Sequence, residues 1–342
     1  MLKLGQEGGE DALSAIVRDL MAQEMAGFAL ELESALAPQQ GYLTQAEMDL
    51  YQGGKKVRPL LLLLSARLFQ PQQALPRKVL RASASLEMLH VATLIHDDIV
   101  DHASLRRGQS SVNAARGTEM AILIGDMQFL QAVRCFTDAI ETERDMQLVR
   151  WVLDTAFEIC KGEIDEMTTR PQASPQALHA RYLSTIDRKT AVLFSLACES
   201  GAALMQAGKS DVRRLGEYGR RLGRAFQMMD DLLDVAHSDS AAGKRKGQDL
   251  QQKRLTLPLI HAMQLWGDAH PMVRYLRSEE AADETQIAQW VEQIRHSEAF
   301  LQSYAEARNT ALQARDALQG LPQGPHLQAM RALCMQVVER TF

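Results

Sequence analysis

Aromatic residues are scarce in this chain, with nine Phe, six Tyr and three Trp among 342 residues. β-Branched residues rarely alternate with polar ones, so a sheet-based core has little to draw on. Cysteines are few as well. Cys135, Cys160, Cys198 and Cys334 are scattered and form no CxxC pair. That argues against a cysteine-held zinc site or a disulfide framework, and for small core residues of a reduced compartment. Long apolar runs are missing too. The longest purely aliphatic stretch, Leu60 to Leu64, is far too short to span a bilayer, and the opening MLKLGQEGGED has no apolar segment of signal-peptide type. The expectation is a soluble, cytoplasmic protein. Positive charge is not in excess: the formal net charge is -5 and no basic stretch dominates. Nucleic acid is therefore not an expected partner, and any anionic ligand must be held by local clusters of Lys, Arg or metal. No Ser-His-Asp or Cys-His arrangement points to covalent catalysis.

What the chain has is helix. Ala, Leu, Gln, Glu, Arg and Met dominate, all good helix formers, and the 46% hydrophobic content supports a large core. Leu80, Ala84, Met88, Val91 and Ile95 recur at helical spacing. Breakers separate the helical segments: QPQQALP near Gln70, RPQASPQ near Pro171, SDSAAGKRKGQ near Ser238 and QGLPQGP near Gly320. None reads as an inter-domain linker. The pattern predicts an all-α protein, one domain over residues 1–342, built as a single large bundle of long helices.

Two acidic clusters stand out. LIHDDIVD carries His96, Asp97, Asp98 and Asp101; FQMMDDLLD carries Gln227, Asp230, Asp231 and Asp234. Asp97 and Asp101 are i and i+4 and share a helix face, and Gln227, Asp230, Asp231 and Asp234 form a polar stripe. Like charges at that spacing cost a helix about 0.2–0.5 kcal/mol, and a hard divalent cation reverses the sign. Mg²⁺ favours carboxylate, water and phosphate oxygen, so two such helices with Mg²⁺ between them would hold a diphosphate. A single DDxxD could be a solvated helix face. Two copies in strongly apolar sequence put carboxylates at a core boundary, where unpaired charge is costly.

Basic residues accompany them. GGKKVRP supplies Lys55 and Arg58 ahead of an apolar helix, and LRRGQS supplies Arg106 and Arg107 after the first acidic cluster. Arg suits bidentate phosphate contact. RKTAVLF supplies Lys189 and Thr190; GKRKGQDLQQKRLTLP supplies Lys244, Asp249 and Lys253 after the second cluster. His90 lies seven residues before Asp97, on the same face two turns away.

In this order, from Gly53 to Pro258, the motifs GGKKVRP, HDDIVD, LRRG, IGD, KGE, DRKTAVLF, GRAFQMMDDLLD and GKRKGQDL with Lys253 resemble those of the trans-prenyl diphosphate synthases of the isoprenoid synthase fold. The rest of the chain reads as helical extensions of the same bundle. The resemblance implies mostly antiparallel helices around a central cavity, usually as a homodimer, and a Mg²⁺-dependent condensation of isopentenyl diphosphate with an allylic diphosphate. It implies Asp97, Asp101 and Asp230 as main Mg²⁺ ligands, supported by Asp98, Asp231 and Asp234. Arg106, Lys189 and Lys244 would hold the allylic diphosphate, and Lys55, Arg58, His90 and Arg107 the isopentenyl diphosphate. Thr190 and Gln227 would point dipoles at the developing cation, and Lys253 would close over the site with its loop. Glu166 stands where many relatives have Gln, and Ser110-Ser111 where many have Pro-Thr. Transient membrane contact is expected only for release of product.

Product length follows from the residues about one turn before Asp97. Ala92 and Thr93 are small, with Met88 or Leu89 a turn deeper and Phe129 and Phe136 as candidates for a lower floor. An open tunnel predicts an all-trans product of medium or long chain, with a geranylgeranyl product as the alternative; Ala92 as a plain packing residue is the competing reading. A class I terpene cyclase needs no second diphosphate pocket, so Lys55, Arg58, His90 and Arg107 argue against it. A non-catalytic partner subunit often lacks one aspartate motif, and this chain keeps both.

Overall fold

The structure, a computed structural model, describes residues 17–106, 108–143, 145–236 and 247–339. Those residues are all-α apart from one two-stranded hairpin. Some helices begin on a clear start signal in the sequence. Helix α1 (Ala22–Leu36) is followed by α2 (Gln45–Asp49), which opens on a capping box between Thr44 and Glu47. Then come α3 (Val57–Arg67) and α4 (Arg77–Val100). The hairpin strands β1 (Leu105–Arg106) and β2 (Gln109–Ser110) pair antiparallel, with Arg106 opposite Gln109. After α5 (Val112–Arg116), α6 (Thr118–Thr137) and α7 (Met146–Met167) comes α8 (Pro175–Ile186), with Ser174 as N-cap and Pro175 in the first turn. A π-turn at Asp187–Ala191 leads into α9 (Val192–Leu204). The 28-residue α10 (Lys209–Ala236) is followed by α11 (Gln248–Gln251), α12 (Leu257–Trp266), α13 (Pro271–Arg277), α14 (Glu284–Arg295), α15 (Glu298–Ala317) and α16 (Pro325–Val338). The predicted breakers QPQQALP, RPQASPQ and QGLPQGP all fall at helix boundaries, the last two ending in the first turn of the helix that follows. SDSAAGKRKGQ lies almost wholly outside the described residues.

Contacts divide the chain into two compact units. The first takes in the described residues of Met1–Asp154 with Leu196–Gly216 and Gly320–Ala332. Its centre is α4, which the sequence marked with one apolar stripe. The helix is buried nearly all round from Ala82 to Ala92, as befits a helix enclosed by neighbours rather than lying on a surface. It packs along α6: Ser85 Oγ donates to the carbonyl of Ala132 at 2.7 Å, and Arg81 pairs with Asp138 at 3.0 Å. The second unit takes in Thr155–Ser195, Glu217–Gln319 and the described residues of Leu333–Phe342. Here α12 packs against α8 and α15.

One buried ion pair organises a corner of the first unit. Arg67, at the end of α3, donates from Nε to Glu24 Oε1 of α1 at 2.7 Å, and from Nη1 to the carbonyls of Gln70 and Gln73 at 3.0 and 2.6 Å. It therefore satisfies a buried carboxylate and the backbone of the QPQQ breaker together. Removing one partner of such a pair strands the other charge in the core. Arg67→Ala should lower the unfolding free energy by about 3–5 kcal/mol, read from denaturant midpoints; a loss below about 1 kcal/mol would show that Glu24 is solvated instead.

Candidate active site

The first acidic cluster ends α4, and its three carboxylates do different things. Asp97 and Asp101 are half-buried and lie one turn apart on one face. Asp98 is turned inward and only 3% exposed. Its Oδ1 accepts from Arg106 Nε at 2.9 Å and from a second guanidinium nitrogen. The chain turns at the end of α4, with His102 at φ +50°, and Arg106 on the first strand faces back to Asp98 before the hairpin reverses at Gly108, φ +77°. Asp98 thus fixes a phosphate-binding type of residue beside the outward aspartates. Arg107 lies outside the described residues.

The GGKKVRP loop is anchored by a residue the sequence did not single out. Lys56 is buried, adopts φ +50°, and its Nζ reaches Glu87 Oε1 of α4 at 2.8 Å and the carbonyl of Gly53 at 2.6 Å. Glu87 sits three residues before His90, so this pair brings the exposed Lys55 and the half-buried Arg58 to the helix that carries His90, itself half-buried. A signal was present: an acidic residue deep in the apolar run of α4 requires a cation. Among the residues considered for product length, Met88 and Ala92 are buried, with Ala92 only 1% exposed. Thr93 is half-buried on the face of Asp97, with its hydroxyl on the carbonyl of His90 at 2.8 Å. On α6, Phe129 is half-buried and Phe136 fully buried.

The second acidic cluster ends α10, in the second unit, and repeats the arrangement. Asp230 is exposed and Asp234 half-buried, four residues apart, whereas Asp231 is buried. Asp231 Oδ2 accepts from the Tyr182 hydroxyl at 2.6 Å and Oδ1 from Gln227 Nε2 at 2.9 Å. Thr190 Oγ1 then donates to Gln227 Oε1 at 2.8 Å, completing a chain of polar side chains from α8 through α10 to the π-turn. Asp234 accepts from the backbone N–H groups of Gln248 and Asp249, both at 3.1 Å, and so caps α11.

Lys189 and Thr190 sit on the π-turn. Such turns insert an extra residue into a helix and recur at functional sites. Two glycines enclose this one. A Cβ on Gly162 would lie 2.6 Å from the backbone N of Lys189, and one on Gly223 would lie 2.7 Å from the Cα of Ala191. This gives physical roles to the Gly of KGE and the Gly of GRAF: they let α7 and α10 approach the turn. Lys189 Nζ is held by Glu163 at 2.9 Å and Glu166 at 2.8 Å. Glu166, which stands where many relatives have Gln, therefore touches a predicted diphosphate ligand. Lys253 adopts φ +55°, and its Nζ lies on the carbonyls of Ser278 and Glu280 at 2.6 and 2.7 Å, above the Tyr275 ring. Lys244 lies outside the described residues.

The family model described as polyprenyl synthetase matches residues 40–294. The chain belongs to that family. It is 30% identical over 94% of its length to heptaprenyl diphosphate synthase component 2 of Geobacillus stearothermophilus, covering 97% of that protein. It is 34% identical to the all-trans-nonaprenyl-diphosphate synthase (geranyl-diphosphate specific) of Rhodobacter capsulatus, over 84% of this chain and 86% of that one. The crystal structure of a decaprenyl diphosphate synthase from Rhodobacter capsulatus superposes with a TM-score of 0.82 at 28% identity, covering 96% of this chain and 99% of that one. The isoprenoid-synthase resemblance and the all-α class are thereby established for this chain. No helix among the described residues is long and apolar enough to cross a membrane.

The acidic residues of the second cluster are suited to a hard cation. Burial raises the Asp231 carboxyl to about 7; the hydrogen bonds from Tyr182 and Gln227 oppose this, while the charges of Asp230 and Glu166 add to it. Asp249 is raised too, by burial and then by Asp234 and Asp231. The donors are all oxygen, as Mg²⁺ prefers. Without metal, folded Asp231 keeps its proton up to about 7, whereas its ordinary value is 3.8. Between those values the folded state binds the extra proton, so this group's contribution to stability declines as pH rises. In chelator-treated protein, the stability of the wild type relative to Asp231→Asn should fall between about pH 4 and pH 7 and level off above. Paired thermal melts check it; a difference that rises over that window would reverse the assignment.

Proposed function

We propose that this chain condenses isopentenyl diphosphate head-to-tail with an allylic diphosphate and repeats the step to an all-trans product of medium or long chain. One observation carries the reading: membership of the polyprenyl synthetase family is joined to two intact DDxxD helices, each with its outer aspartates less buried than the middle one. Asp97 and Asp101, with Asp230 and Asp234, would hold Mg²⁺. When bound, that metal supplies positive charge to the departing diphosphate. Asp98 and Asp231 act behind them, orienting Arg106 and Gln227 respectively.

In the reaction the allylic C–O bond breaks and its electron pair leaves with diphosphate. Arg106, Lys189 and Lys244 stabilise that negative charge. Thr190 gives its hydroxyl hydrogen to Gln227, which leaves the Thr190 oxygen lone pairs for the developing carbocation. The double bond of isopentenyl diphosphate, held by Lys55, Arg58, His90 and Arg107, supplies the electrons of the new C–C bond. The proton lost from the adduct passes to the released diphosphate, so no dedicated protein base is needed. Lys253 would first leave the carbonyls of Ser278 and Glu280 if it closes over the substrates.

For assembly, α7 presents an apolar stripe of Met146, Leu153, Phe157, Ile164 and Met167, with Phe157 and Met167 about two-thirds exposed. It supports a homodimer. The Geobacillus relative's designation as component 2 keeps a heteromeric assembly as the second reading.

Asp97→Ala or Asp230→Ala should lower turnover by orders of magnitude while far-UV circular dichroism stays unchanged. Near-normal turnover in either purified variant would remove the metal assignment. Relatives with heptaprenyl, octaprenyl and nonaprenyl names stand beside a short-chain one of 30% identity, so names alone do not set the product. The small side chains before Asp97 do. Thr93 shares the face of Asp97 and has accessible surface, whereas Ala92 is packed in the core. Thr93→Phe should therefore shorten the product by several isoprene units, because a ring and the growing tail cannot share volume. Product chromatography decides: a farnesyl product from the wild type, or an unchanged length in Thr93→Phe, would refute the open tunnel.

A further inference from the structure

Outside the aspartate clusters, three helices of the second unit bring together His179 of α8, His261 of α12 and Glu306 of α15. Nothing in the condensation chemistry uses them. We propose that these three side chains form a binding site for Zn²⁺ or a similar borderline transition-metal dication, separate from the Mg²⁺ sites of the aspartates.

The donor set is the first argument. Two imidazole nitrogens and one carboxylate oxygen suit Zn²⁺, whereas Mg²⁺ is served by oxygen ligands and water. Geometry is the second. The three ligand atoms lie within 4.8 Å of one another. His179 Nε2 is 3.0 Å from both oxygens of Glu306, and His261 Nε2 is 3.5 Å from Glu306 Oε2. Tetrahedral Zn²⁺ with ligands at about 2.0–2.1 Å has neighbouring ligand atoms about 3.4 Å apart. Two of the three edges thus already stand near that separation. The imidazole rings lie side by side, 5.7 Å between centroids and 21° between planes, so a modest rotation about the side-chain bonds closes the third.

The hydrogen bonds behind the cluster are the third argument. Ser303 Oγ donates to the carbonyl of Ala299 at 2.7 Å. Its remaining capacity is as an acceptor, and His261 Nδ1 lies 2.9 Å from it. His261 therefore carries its proton on Nδ1, and Nε2 presents a lone pair towards Glu306. A ligating histidine whose other nitrogen is fixed by an oxygen partner is the arrangement that metal sites use. Access is the fourth: the side chains of His179 and Glu306 are 31% and 27% exposed, so an ion and a water for the open fourth position can reach them. Sequence reading passed over the site because its members lie far apart in the chain and none is a cysteine. The site also has a route to the reaction centre. Tyr182, one turn beyond His179 on α8, donates to Asp231, so a cation that fixes α8 also fixes the support of the second aspartate cluster.

The test uses the full chain, stripped with chelator and dialysed against Zn²⁺ in excess Mg²⁺, so that the aspartates are occupied by the harder ion. The wild type should retain about one Zn²⁺ per chain, and retention should be lost in His179→Gln and Glu306→Gln. Ser303→Ala should weaken Zn²⁺ binding by about 10–100-fold. Zn²⁺ should raise the Tm of the wild type and leave that of Glu306→Gln unmoved, with matched circular dichroism before metal is added. Co²⁺ in place of Zn²⁺ should give visible absorption bands that vanish in His179→Gln. Absence of retained Zn²⁺ in the wild type, or equal retention in both Gln variants, would overturn the proposal and leave a plain His–Glu ion pair.

Discussion

A carboxylate cannot be buried without partners, and the second aspartate of each DDxxD helix is buried. An aspartate one residue after the first of an i,i+4 pair points about 100° away from it, which on these helices means inwards. Asp98 meets this constraint with Arg106, and Asp231 meets it with Tyr182 and Gln227. Much of the local architecture follows. The chain must turn at the end of α4, where His102 has φ +50°, to bring Arg106 back to Asp98. Tyr182 must close α8 against α10, and Gln227 must face the π-turn. The inward aspartates are thus connectors, and each draws a candidate site residue to the outward pair.

The same requirement accounts for the charge balance around α10. Burial, with the charges of Asp230 and Glu166 added to it, lifts Asp231 to about 7, and burial with the charges of Asp234 and Asp231 raises Asp249. Lys189 is near, but its ammonium is shared by Glu163 and Glu166. Elsewhere the buried carboxylates have a counterion at hand, Arg67 for Glu24 and Lys56 for Glu87, and the Arg254 charge opposes the rise at Asp249.

The class of fold and the outward-facing aspartate pairs were legible in the sequence because both rest on spacing along one helix. Apolar periodicity and Gly/Pro breakers gave the helices, and i,i+4 aspartates gave the outward pairs. What was not legible rests on contacts between segments far apart in the chain. Lys56 and Lys55 look alike in GGKKVRP, and only the position of Glu87 on α4 separates the anchor from the candidate ligand. Gly162 and Gly223 look like tolerated glycines until the π-turn is seen against both. The contact of Glu166 with Lys189 crosses from α7 to that turn, which no spacing in the sequence announces. Ala92 and Thr93 look equally small, yet a rotation of one residue puts the first in the core and the second on the face of Asp97.

That π-turn shows how much can hang on a feature no local pattern announces. An ordinary α-helix through Asp187–Ala191 would carry Lys189 and Thr190 about 100° apart at regular rise, with no slack for a lysine to reach α7 while its neighbour reaches α10. The extra residue in the turn supplies that slack. It is stable here because both walls are glycine and because Asp187, at its start, is held by Arg224 Nε at 2.6 Å and by Arg220 at 3.3 Å. Lys189 can then lie between Glu163 and Glu166 while Thr190 hydrogen-bonds to Gln227. The pair reads in sequence as two ordinary residues at the head of an apolar helix; in the fold they serve two different helices.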